Sequence, residues 1–498
     1  MSQLLRTKSI DALIAASAEP GRQLHRSLGP WSLVALGIGA VIGSGIFVLT
    51  GTAAAGETHP VPSILHAPVL DILRHGGETM STLGRPGAGP AIWLSFLLAA
   101  FGCGLAGLCY AELASMIPVA GSAYTYTYAT LGELFAWIIG WDLILEYAVS
   151  NMAVAVGFSA YFNDMLDGLF GVHLPLHLSR PTFMNGEYTG SFNLPALCIV
   201  LLLTWILTRG VRESARANNA MVIVKVAAIL IFVFAGYGAV NAENWTPQMP
   251  NGLSGVLTGS AIVFFTYIGF DSVSTAGEEC RNPKRDLPFG IIVSLIVCSS
   301  LYIAVSVVLT GMQNWTALNN AAPVANALKA AGLDSARRLV TVGALGGMLS
   351  SLLVFQYGQA RIWFAMSRDG LLPGIFSHVH PRYLTPYYST WIAGFAVAIP
   401  AGMWDIGIFA ELSNIGTLFA FGLVSAAVLV LRKKQPERAR GFRVPLVPFV
   451  PVLAIGFCLV LMMSLPLLNW IGFILWLIVG LVIYFGFGRK RSVLAEQK

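Results

Sequence analysis

The chain has 498 residues, of which 56% are hydrophobic and only 11% are charged, and its formal net charge is +6. A soluble domain carries about 25% charged residues, so this composition excludes an ordinary soluble protein. The excess of positive charge lies between apolar segments, a pattern that reflects membrane topology and does not indicate nucleic-acid binding.

Twelve apolar segments are each long enough to cross a bilayer as a helix, which takes about 20 residues. The segments are residues 33–55, 90–117, 132–162, 193–211, 218–240, 255–277, 287–312, 337–366, 387–403, 405–431, 447–466 and 469–487. We therefore predict an all-α polytopic membrane protein with twelve transmembrane helices, called spans one to twelve below. No cleavable signal pattern precedes span one, so we expect that span to act as its own insertion signal.

The distribution of lysine and arginine predicts how the spans are oriented. With the N-terminus in the cytoplasm, 23 of the 30 Lys and Arg residues fall in cytoplasmic segments. Cytoplasmic loops of membrane proteins carry such an excess of positive charge. We therefore expect both tails, residues 1–31 and 488–498, to be cytoplasmic, and the protein to reside in the inner (plasma) membrane.

Span one contains an unusual number of small residues. Between Gly37 and Gly45 it holds four glycines and Ser44, although glycine costs a helix interior roughly 1 kcal/mol relative to alanine. The stretch indicates either two half-helices with a break near Gly43–Ser44–Gly45, or a helix face that packs closely on a neighbour. A break would offer free N–H groups and free carbonyl groups to a zwitterionic ligand.

The first outer loop, residues 57–89, is long and rich in Gly and Pro. It contains His59, His66 and His75, whose spacings of seven and nine match no common metal site. We expect no metal there and interpret the loop as a cover over the outer vestibule. The six cysteines lie in spans or at Cys280, and we expect them to be buried small hydrophobic residues.

Two kinds of charge lie inside the predicted spans. In span three, Asp142 and Glu146 are four residues apart, so both carboxylates lie on one helical face. Asp142 is nearer the cytoplasmic start and is expected at the interface, whereas Glu146 is deeper and is the better candidate for function, with a structural ion pair as the alternative. In span five, Lys225 either extends to the cytoplasmic interface or is a buried amine that binds and releases a proton.

Span six repeats the pattern of span one, because Gly269 interrupts an apolar run and Asp271 follows it. A pair of glycine-interrupted spans at corresponding positions of two halves indicates a transporter site. The pair predicts an inverted repeat of residues 32–240 (helices 1–5) and 255–431 (helices 6–10), with helices 11 and 12 in residues 447–487. In span ten, Glu411 and Asn414 serve either gating or packing, and the sequence does not choose between them.

Three stretches in combination resemble the amino acid–polyamine–organocation superfamily of transporters, and most of all its cationic amino acid transporter family. They are Gly43–Phe47, Pro118–Tyr124 and Phe264–Pro288. The similarity extends over nearly the whole chain, from about residue 26 to residue 487, although the first outer loop is longer than the family pattern. The resemblance implies a five-plus-five inverted-repeat fold, with discontinuous helices 1 and 6 around a substrate at the membrane midplane.

The resemblance also implies which backbone groups hold an amino acid. Its α-carboxylate would meet the N–H groups of Gly43, Ser44 and Gly45. Its α-ammonium would meet the carbonyl groups of Val41, Phe265, Thr266 and Ile268.

Four side chains receive roles from the same resemblance. Phe265 would close the site from outside, and Glu146 and Asp271 would lie towards the substrate side chain. Lys225 matches the lysine of proton-coupled relatives, at the place that a sodium ion fills in sodium-coupled ones. Two buried acids would favour a cationic substrate side chain, unless they are protonated or paired.

These features lead to the hypothesis of a secondary active transporter that takes up L-amino acids, cationic ones or a broad range, by proton-coupled symport with alternating access. The proton is the coupling ion, and no cofactor or metal is expected. The alternatives are an amino acid or polyamine exchanger of the same fold, and a non-transporting receptor or structural subunit. No nucleophile–base pair stands out, so we do not expect an enzyme.

The partners predicted from the sequence are an amino acid and membrane lipids, with no nucleic acid. The sequence leaves open the preferred side chain, symport or exchange, the stoichiometry, the oligomeric state, any small membrane subunit and the role of the first outer loop.

Overall fold

A computed structural model describes residues 5–17, 28–56, 85–119, 121–184, 187–209, 214–380 and 385–493. Within these ranges the regular structure is almost entirely α-helical. The sheet is one short antiparallel hairpin, β1 (Phe183–Met184) and β2 (Glu187–Tyr188), in which Phe183 is paired with Tyr188. The prediction of an all-α membrane protein is confirmed.

The helices of the first half run from the N-terminal segment to span five. They are α1 (Ile10–Ser17), α2 (Pro30–Val41), α3 (Thr50–Ala55), α4 (Ile92–Met116), α5 (Ser122–Thr130), α6 (Glu133–Phe170), α7 (Leu176–Ser179), α8 (Leu194–Thr208) and α9 (Ser214–Tyr237).

The helices of the second half begin with span six. They are α10 (Gly252–Val263), α11 (Ser272–Thr275), α12 (Pro283–Met312), α13 (Pro323–Ala330), α14 (Asp334–Arg368), α15 (Tyr387–Met403), α16 (Ile406–Lys434), α17 (Phe449–Ser464), α18 (Leu467–Ile483) and α19 (Arg489–Arg491). Two π turns (Gly45–Leu49 and Tyr484–Gly488) and six 3₁₀ turns complete the set: Gly89–Ala91, Ala242–Trp245, Phe264–Tyr267, Gly277–Glu279, Trp315–Ala317 and Gly374–Ser377.

All twelve predicted spans coincide with helices, but not all of these helices are equally long. Among the described residues, eight helices are long and apolar enough to cross a membrane. The bent pair Pro30–Val41 and Gly45–Ala55 makes a ninth span. The helices of spans four, nine and eleven have 15, 17 and 16 residues, which is short for a bilayer that takes about 20. The number twelve and the repeat boundaries therefore stay predictions.

Helix boundaries follow signals in the local sequence. The Asn193 side chain accepts a hydrogen bond from the N–H of Ala196 at the start of α8, and Asp405 accepts one from Gly407 at the start of α16. Pro283 opens α12, where its missing N–H has no helical partner to lose. Gly171, with φ +63°, ends α6 in the left-handed conformation that glycine favours.

The two longest helices, α6 and α14, pack against each other at the centre of the molecule. A close approach is possible because a Cβ atom at Gly358 of α14 would lie 2.6 Å from the Tyr147 ring of α6. Helix α16 packs on another face of α6, and α12 packs on α2. By contrast, α18 exposes Leu468 and Val482 at the periphery of the bundle. The buried faces of α6, α14 and α16 therefore surround the middle of the molecule.

The two ends of the described chain meet at the same end of the bundle. The carbonyl of Arg6 accepts a hydrogen bond from the N–H of Glu133 at 3.0 Å. The Ser492 hydroxyl lies 2.6 Å from a carboxylate oxygen of the same Glu133. Lys8 forms an ion pair with Asp369 at 2.6 Å, and the N–H of Val493 donates to the Asp369 carbonyl. Both terminal segments are thus bound to the start of α6 and the end of α14.

Candidate functional site

Span one is broken where the glycines predicted it. Helix α2 ends at Val41, Ile42 is extended with φ −79° and ψ 94°, and the half-helices on either side are bent by 44°. The N–H groups of Gly43 and Ser44 donate to no backbone carbonyl group among the described residues. The Ser44 hydroxyl is also buried without a partner among the described residues. The break therefore holds three buried donors that are free to bind an anion.

The alternative interpretation, a packing face, applies to the earlier part of the same glycine-rich stretch. A Cβ atom at Gly37 would lie 2.5 Å from the Ser294 hydroxyl of α12, so this glycine lets α2 and α12 approach. At the break itself, Ser44 packs on α6, where a Cβ atom at Gly157 would lie 2.6 Å from the Ser44 Cβ. The glycine-rich stretch of span one therefore contains both predicted features: a packing face at Gly37 and a helix break at Gly43–Ser44–Gly45.

Span six is broken at the predicted glycine. Helix α10 passes into the 3₁₀ turn Phe264–Tyr267, Ile268 is extended, and Gly269 has φ +115°. A side chain at position 269 would be strained by this backbone conformation, and its Cβ would lie 3.0 Å from the backbone of Ala40. The break in span six therefore contacts the last turn of α2.

The two breaks are joined by a tyrosine that the sequence did not single out. The Tyr302 hydroxyl of α12 lies 2.9 Å from the Val41 carbonyl and 2.9 Å from the Thr266 carbonyl. Two of the carbonyl groups expected to hold an ammonium group are thus within hydrogen-bonding distance of Tyr302. The Phe265 carbonyl accepts the N–H of Ile268, and both side chains are buried. The only sequence signal that could have identified this residue was the presence of one tyrosine in an otherwise apolar stretch, Leu301–Ile303.

Lys225 is fully buried, so it does not extend to the interface. Its ammonium group donates to the carbonyl oxygens of Gly39 at 2.5 Å and Ile42 at 2.9 Å. These carbonyls belong to the C-terminal end of α2, where helical carbonyls lack intrahelical partners and a cation is favourable. Lys225 therefore links span five to the break in span one.

A serine of α14 shares this position and was also missed. The Ser351 hydroxyl lies 3.3 Å from the Gly39 carbonyl and 3.2 Å from the Ile42 carbonyl. A Cβ atom at Gly347, one turn earlier, would lie 3.1 Å from the Lys225 Cβ, so Gly347 leaves room for the lysine stem. Spans one, five and eight therefore meet at one group of carbonyl oxygens.

Three acids lie near the centre of the molecule. Glu146 is 3% exposed and Asp271 is 2% exposed. Their carboxyl groups are close enough to interact electrostatically. The Tyr147 hydroxyl interacts with the Asp271 carboxyl group. Asp142 was expected at the interface, but its side chain is 0% exposed, because this part of α6 packs against α16 at Gly416.

No ion pair explains these acids within the described part of the chain. Salt bridges join other pairs there, and none includes Asp142, Glu146 or Asp271. Lys225 binds backbone carbonyls and not these carboxyl groups. Among the described residues, therefore, the structural ion pair that the sequence left open is not formed.

In span ten, Glu411 and Asn414 make different contacts. Glu411 forms an ion pair with Arg85 and accepts a hydrogen bond from Asn469 at 2.9 Å. Asn414 donates to the Ala261 carbonyl in α10 at 2.8 Å. Glu411 thus joins the end of the first outer loop to spans ten and twelve, whereas Asn414 joins span ten to span six.

Two smaller expectations concern metal and cysteine. The residues His59, His66 and His75 lie outside the described residues, and the described part of the chain contains no group of three metal-ligating side chains that could hold an ion. Five of the six cysteines are buried as expected. The expectation is wrong for Cys198, which is exposed on the outer face of the short helix α8.

Comparisons with known proteins place these features in context. Residues 28–487 match the family model described as amino acid permease. The chain is 48% identical to the methylthioribose transporter of Bacillus subtilis (strain 168), over 99% of this chain and 100% of that protein. It is 47% identical to the branched-chain amino acid permease BcaP of the same organism, over 99% of both chains. It is 36% identical to the vacuolar cationic amino acid transporter 4 of Arabidopsis thaliana, over 88% of this chain and 68% of that protein.

Proposed function

Because the chain belongs to the amino acid permease family, within the amino acid–polyamine–organocation superfamily of membrane transporters, we propose that it takes up an L-amino acid by proton-coupled symport with alternating access. The family consists of transport proteins and not of enzymes, and the chain is a multi-pass membrane protein. We place it in the plasma membrane with both tails in the cytoplasm. The observation that carries the proposal is the group of free donors at the break in span one, beside the carbonyl groups of span six.

An α-amino acid fits these backbone groups by charge. The N–H groups of Gly43 and Ser44, together with the Ser44 hydroxyl, would bind the α-carboxylate, because a helix N-terminus favours negative charge. The carbonyls of Phe265 and Ile268 would accept hydrogen bonds from the α-ammonium. Substrate that reaches Val41 and Thr266 would compete with the Tyr302 hydroxyl for their carbonyl oxygens.

Lys225 supplies the coupling to protons in this proposal. As an ammonium it has enough N–H donors to bridge the Gly39 and Ile42 carbonyls and so holds the end of α2 against α9. As a neutral amine it loses one donor and the attraction of its charge for the helix terminus. Loss of the proton to the cytoplasm would loosen the first half of span one and favour release of the substrate. No sodium ion or other cofactor is required.

A cationic side chain is supported by the buried acids. Asp271 and Glu146 are buried and have no cationic partner among the described residues. An ammonium or guanidinium group of lysine, ornithine or arginine would neutralise one of them. Cationic substrates are also named for the Arabidopsis relatives.

A branched-chain amino acid is supported by different observations. Relatives named for branched-chain amino acids are 47% and 32% identical to this chain over nearly their whole length. Protonated acids would not repel an apolar side chain, so the presence of Glu146 and Asp271 is compatible with this class. Methylthioribose, named for the relative at 48% identity, lacks the carboxylate that the free donors at Gly43 and Ser44 suit.

Uptake into proteoliposomes tests the coupling. We expect radiolabelled amino acid to accumulate when the outside is acidic, and to show no response to an inward sodium gradient. The Lys225→Ala variant should bind substrate in a thermal-shift assay but lose accumulation driven by the pH gradient. Lys329→Ala, which changes an exposed lysine outside the site, is the matched control and should accumulate normally.

The opposite outcomes are equally clear. Uptake that follows sodium and ignores the pH gradient would contradict proton coupling, and normal accumulation by Lys225→Ala would remove this residue from the mechanism. Counterflow without net accumulation would indicate the exchanger. A competition series of lysine, arginine, leucine, valine and methylthioribose against the label separates the substrate classes, and competition by none of these compounds would contradict the proposal.

A further inference from the structure

Spans four and nine lie side by side at the periphery of the bundle, and both are short. Helix α8 of span four has 15 residues, α15 of span nine has 17, and the two helices pack against each other. At a rise of about 1.5 Å per residue they measure about 22 Å and about 26 Å, whereas the hydrocarbon core of a bilayer is about 30 Å thick. Both expose apolar side chains, such as Leu202 of α8 and Phe395 of α15. Lipid therefore meets two helices that are shorter than the hydrocarbon core.

Aromatic side chains mark the boundary between lipid and water at one end of these helices. Trp205 is exposed three residues before the end of α8, and the Arg209 guanidinium lies 4.0 Å from the centre of its ring. Tyr388 is exposed at the start of α15. Trp and Tyr are enriched at this boundary, and Arg extends from it into water. Only about 17 Å of α8 lies between Trp205 and Leu194, so the hydrocarbon core extends past the opposite end of the helix.

That opposite end is covered by the connection between spans three and four, residues 171–192, called the hairpin segment below. It contains α7 and the β1–β2 hairpin. Phe183 of β1 stacks on Trp404, the residue after α15, with ring centroids 5.7 Å apart. The N–H of Asn193, directly before α8, donates to the Gly402 carbonyl at 3.0 Å. The hairpin segment is therefore held against the ends of both short helices, at the end of the bundle opposite the terminal segments.

The hairpin segment exposes apolar side chains where a solvated loop would carry charges. Tyr188 is 74% exposed, Leu176 is 61% exposed, and Met184 is exposed as well. The segment holds only two formal charges, Arg180 and Glu187. Apolar surface left in water costs about 25 cal/mol for each Å². These side chains continue the lipid-facing surface of spans four and nine beyond the ends of α8 and α15.

A different part of the same end of the bundle is charged. Near the end of α6, Asp167 forms ion pairs with Arg337 at 3.3 Å and with Lys329 at 3.5 Å. Ala331 is exposed at the end of α13, close in sequence to Lys329 and to the exposed Asp334. This charged surface faces water, so it provides a control position at the same end of the molecule.

We propose that the hairpin segment lies in the boundary between headgroups and acyl chains of the adjacent lipid leaflet, as an interfacial lipid contact of spans four and nine. Its partner is the phospholipid leaflet itself, with Leu176 and Tyr188 in contact with acyl chains. A short span is otherwise accommodated by a thinner bilayer. The hairpin segment instead lengthens the apolar surface of both helices. This contact depends on the fold and not on the transported substrate.

The accessibility of spin labels in lipid tests this contact. Leu176→Cys and Tyr188→Cys are each combined with Cys198→Ala, which removes the exposed native thiol. The proteins are labelled with a nitroxide and reconstituted in vesicles of phosphatidylcholine and phosphatidylglycerol. We expect both labels to collide with oxygen, which dissolves in lipid, and to be shielded several-fold from a water-soluble nickel complex. Ala331→Cys in the same background is the matched control and should be accessible to nickel.

Two results of this experiment would overturn the proposal. Nickel accessibility at positions 176 and 188 equal to that at position 331 would place the hairpin segment in water beside a thinned bilayer. Shielding of positions 176 and 188 from both oxygen and nickel would show that protein, such as a second copy of the chain, covers the segment in place of lipid.

A measurement without labels keeps the test decisive if a cysteine variant does not fold. The double variant Leu176→Asp, Tyr188→Asp should melt at a lower temperature than the wild type in bilayers of long acyl chains. In bilayers of short acyl chains the two should melt together, because a thin hydrocarbon core ends before it reaches the hairpin segment. Ala331→Asp should match the wild type in both. A loss of stability in the double variant that is equal in thick and thin bilayers would overturn the proposal.

Discussion

Single polar side chains from distant parts of the chain hold the two helix breaks in place. Lys225 and Ser351 bind the end of α2, and Tyr302 connects it to span six. Each of these groups satisfies a carbonyl oxygen that the break leaves without a helical partner. Such groups are expensive to bury unsatisfied, about 1–3 kcal/mol for each. The breaks are therefore stable because these three side chains complete their hydrogen bonds.

Tyr302→Phe is the most conservative test of this statement. The ring stays, and only the hydroxyl that lies 2.9 Å from two carbonyls is removed. We expect the free energy of unfolding to fall by about 1 kcal/mol and the apparent affinity for substrate to change, because the Val41 and Thr266 carbonyls lose a competitor. Thermal unfolding in lipid and a binding isotherm measure both effects.

The matched control for this substitution is Tyr237→Phe, since Tyr237 is 73% exposed at the end of α9. Its melting temperature and binding should equal those of the wild type. Equal stability and equal affinity of Tyr302→Phe and Tyr237→Phe would show that the Tyr302 hydroxyl does not support the breaks.

At the scale of elements, span six depends on one glycine conformation. Gly269 has φ +115°, and its Cα faces the backbone of Ala40 in α2. The same residue thus ends one half of span six and lets span one approach it. The breaks of spans one and six therefore pack directly against each other.

Gly269→Ala is expected to be strongly destabilising. Backbone strain of this kind costs of order 1–3 kcal/mol, and the new Cβ would also lie 3.0 Å from the Ala40 backbone. We predict a lower melting temperature and loss of uptake. Gly422→Ala, in the open part of α16, should be neutral or slightly stabilising because alanine favours helix. Equal melting temperatures for the two variants would contradict the close contact.

The sequence predicted the elements well and the contacts between them poorly. Runs of apolar residues and clusters of glycine are local signals, so the twelve segments and both breaks could be predicted. Tyr302 and Ser351 were missed because their partners lie 36 to 312 residues away, and no local pattern reports such a contact. Asp142 was placed at the interface because position along a span predicts depth but does not predict which face packs on α16.

At the scale of the whole molecule, both terminal segments of the described chain pack against the same end of the bundle. Lys8 binds Asp369, which also accepts a hydrogen bond from the Tyr124 hydroxyl at 2.6 Å. Glu133 is fully buried and is satisfied by Tyr484, Ser492 and Tyr128. Burial in this cluster raises the pKa of Tyr124, which lies outside the spans, so its hydroxyl remains a donor at neutral pH. These contacts tie α5, α6 and α14 together.

We predict that Lys8→Ala loosens this end of the molecule. Cys280 is 0% exposed next to Leu28, and a maleimide reagent added from the cytoplasmic side should label it several-fold faster in the variant. Removal of the ion pair leaves Asp369 with one donor fewer, so the contact between the N-terminal segment and the end of α14 is weaker.

The control for this prediction is Arg438→Ala. Its partner Asp11 is exposed, and although the hydrogen bond from Arg438 lowers the pKa of Asp11, an exposed pair of this kind contributes little to stability. Labelling of Cys280 in this variant should match the wild type. Equal labelling rates in Lys8→Ala and the wild type would show that the Lys8–Asp369 ion pair does not hold the N-terminal segment in place.

The cluster at Glu133 also bears on how the chain is made. Glu133 is synthesised well before its partners Tyr484 and Ser492, which lie 351 and 359 residues further along the chain. For most of translation, therefore, this carboxylate has only Tyr128 within reach. Domains otherwise fold largely in order of synthesis. A chain cut short before residue 484 would keep most of its spans but would lack two of the three hydroxyl partners of the buried Glu133 carboxylate.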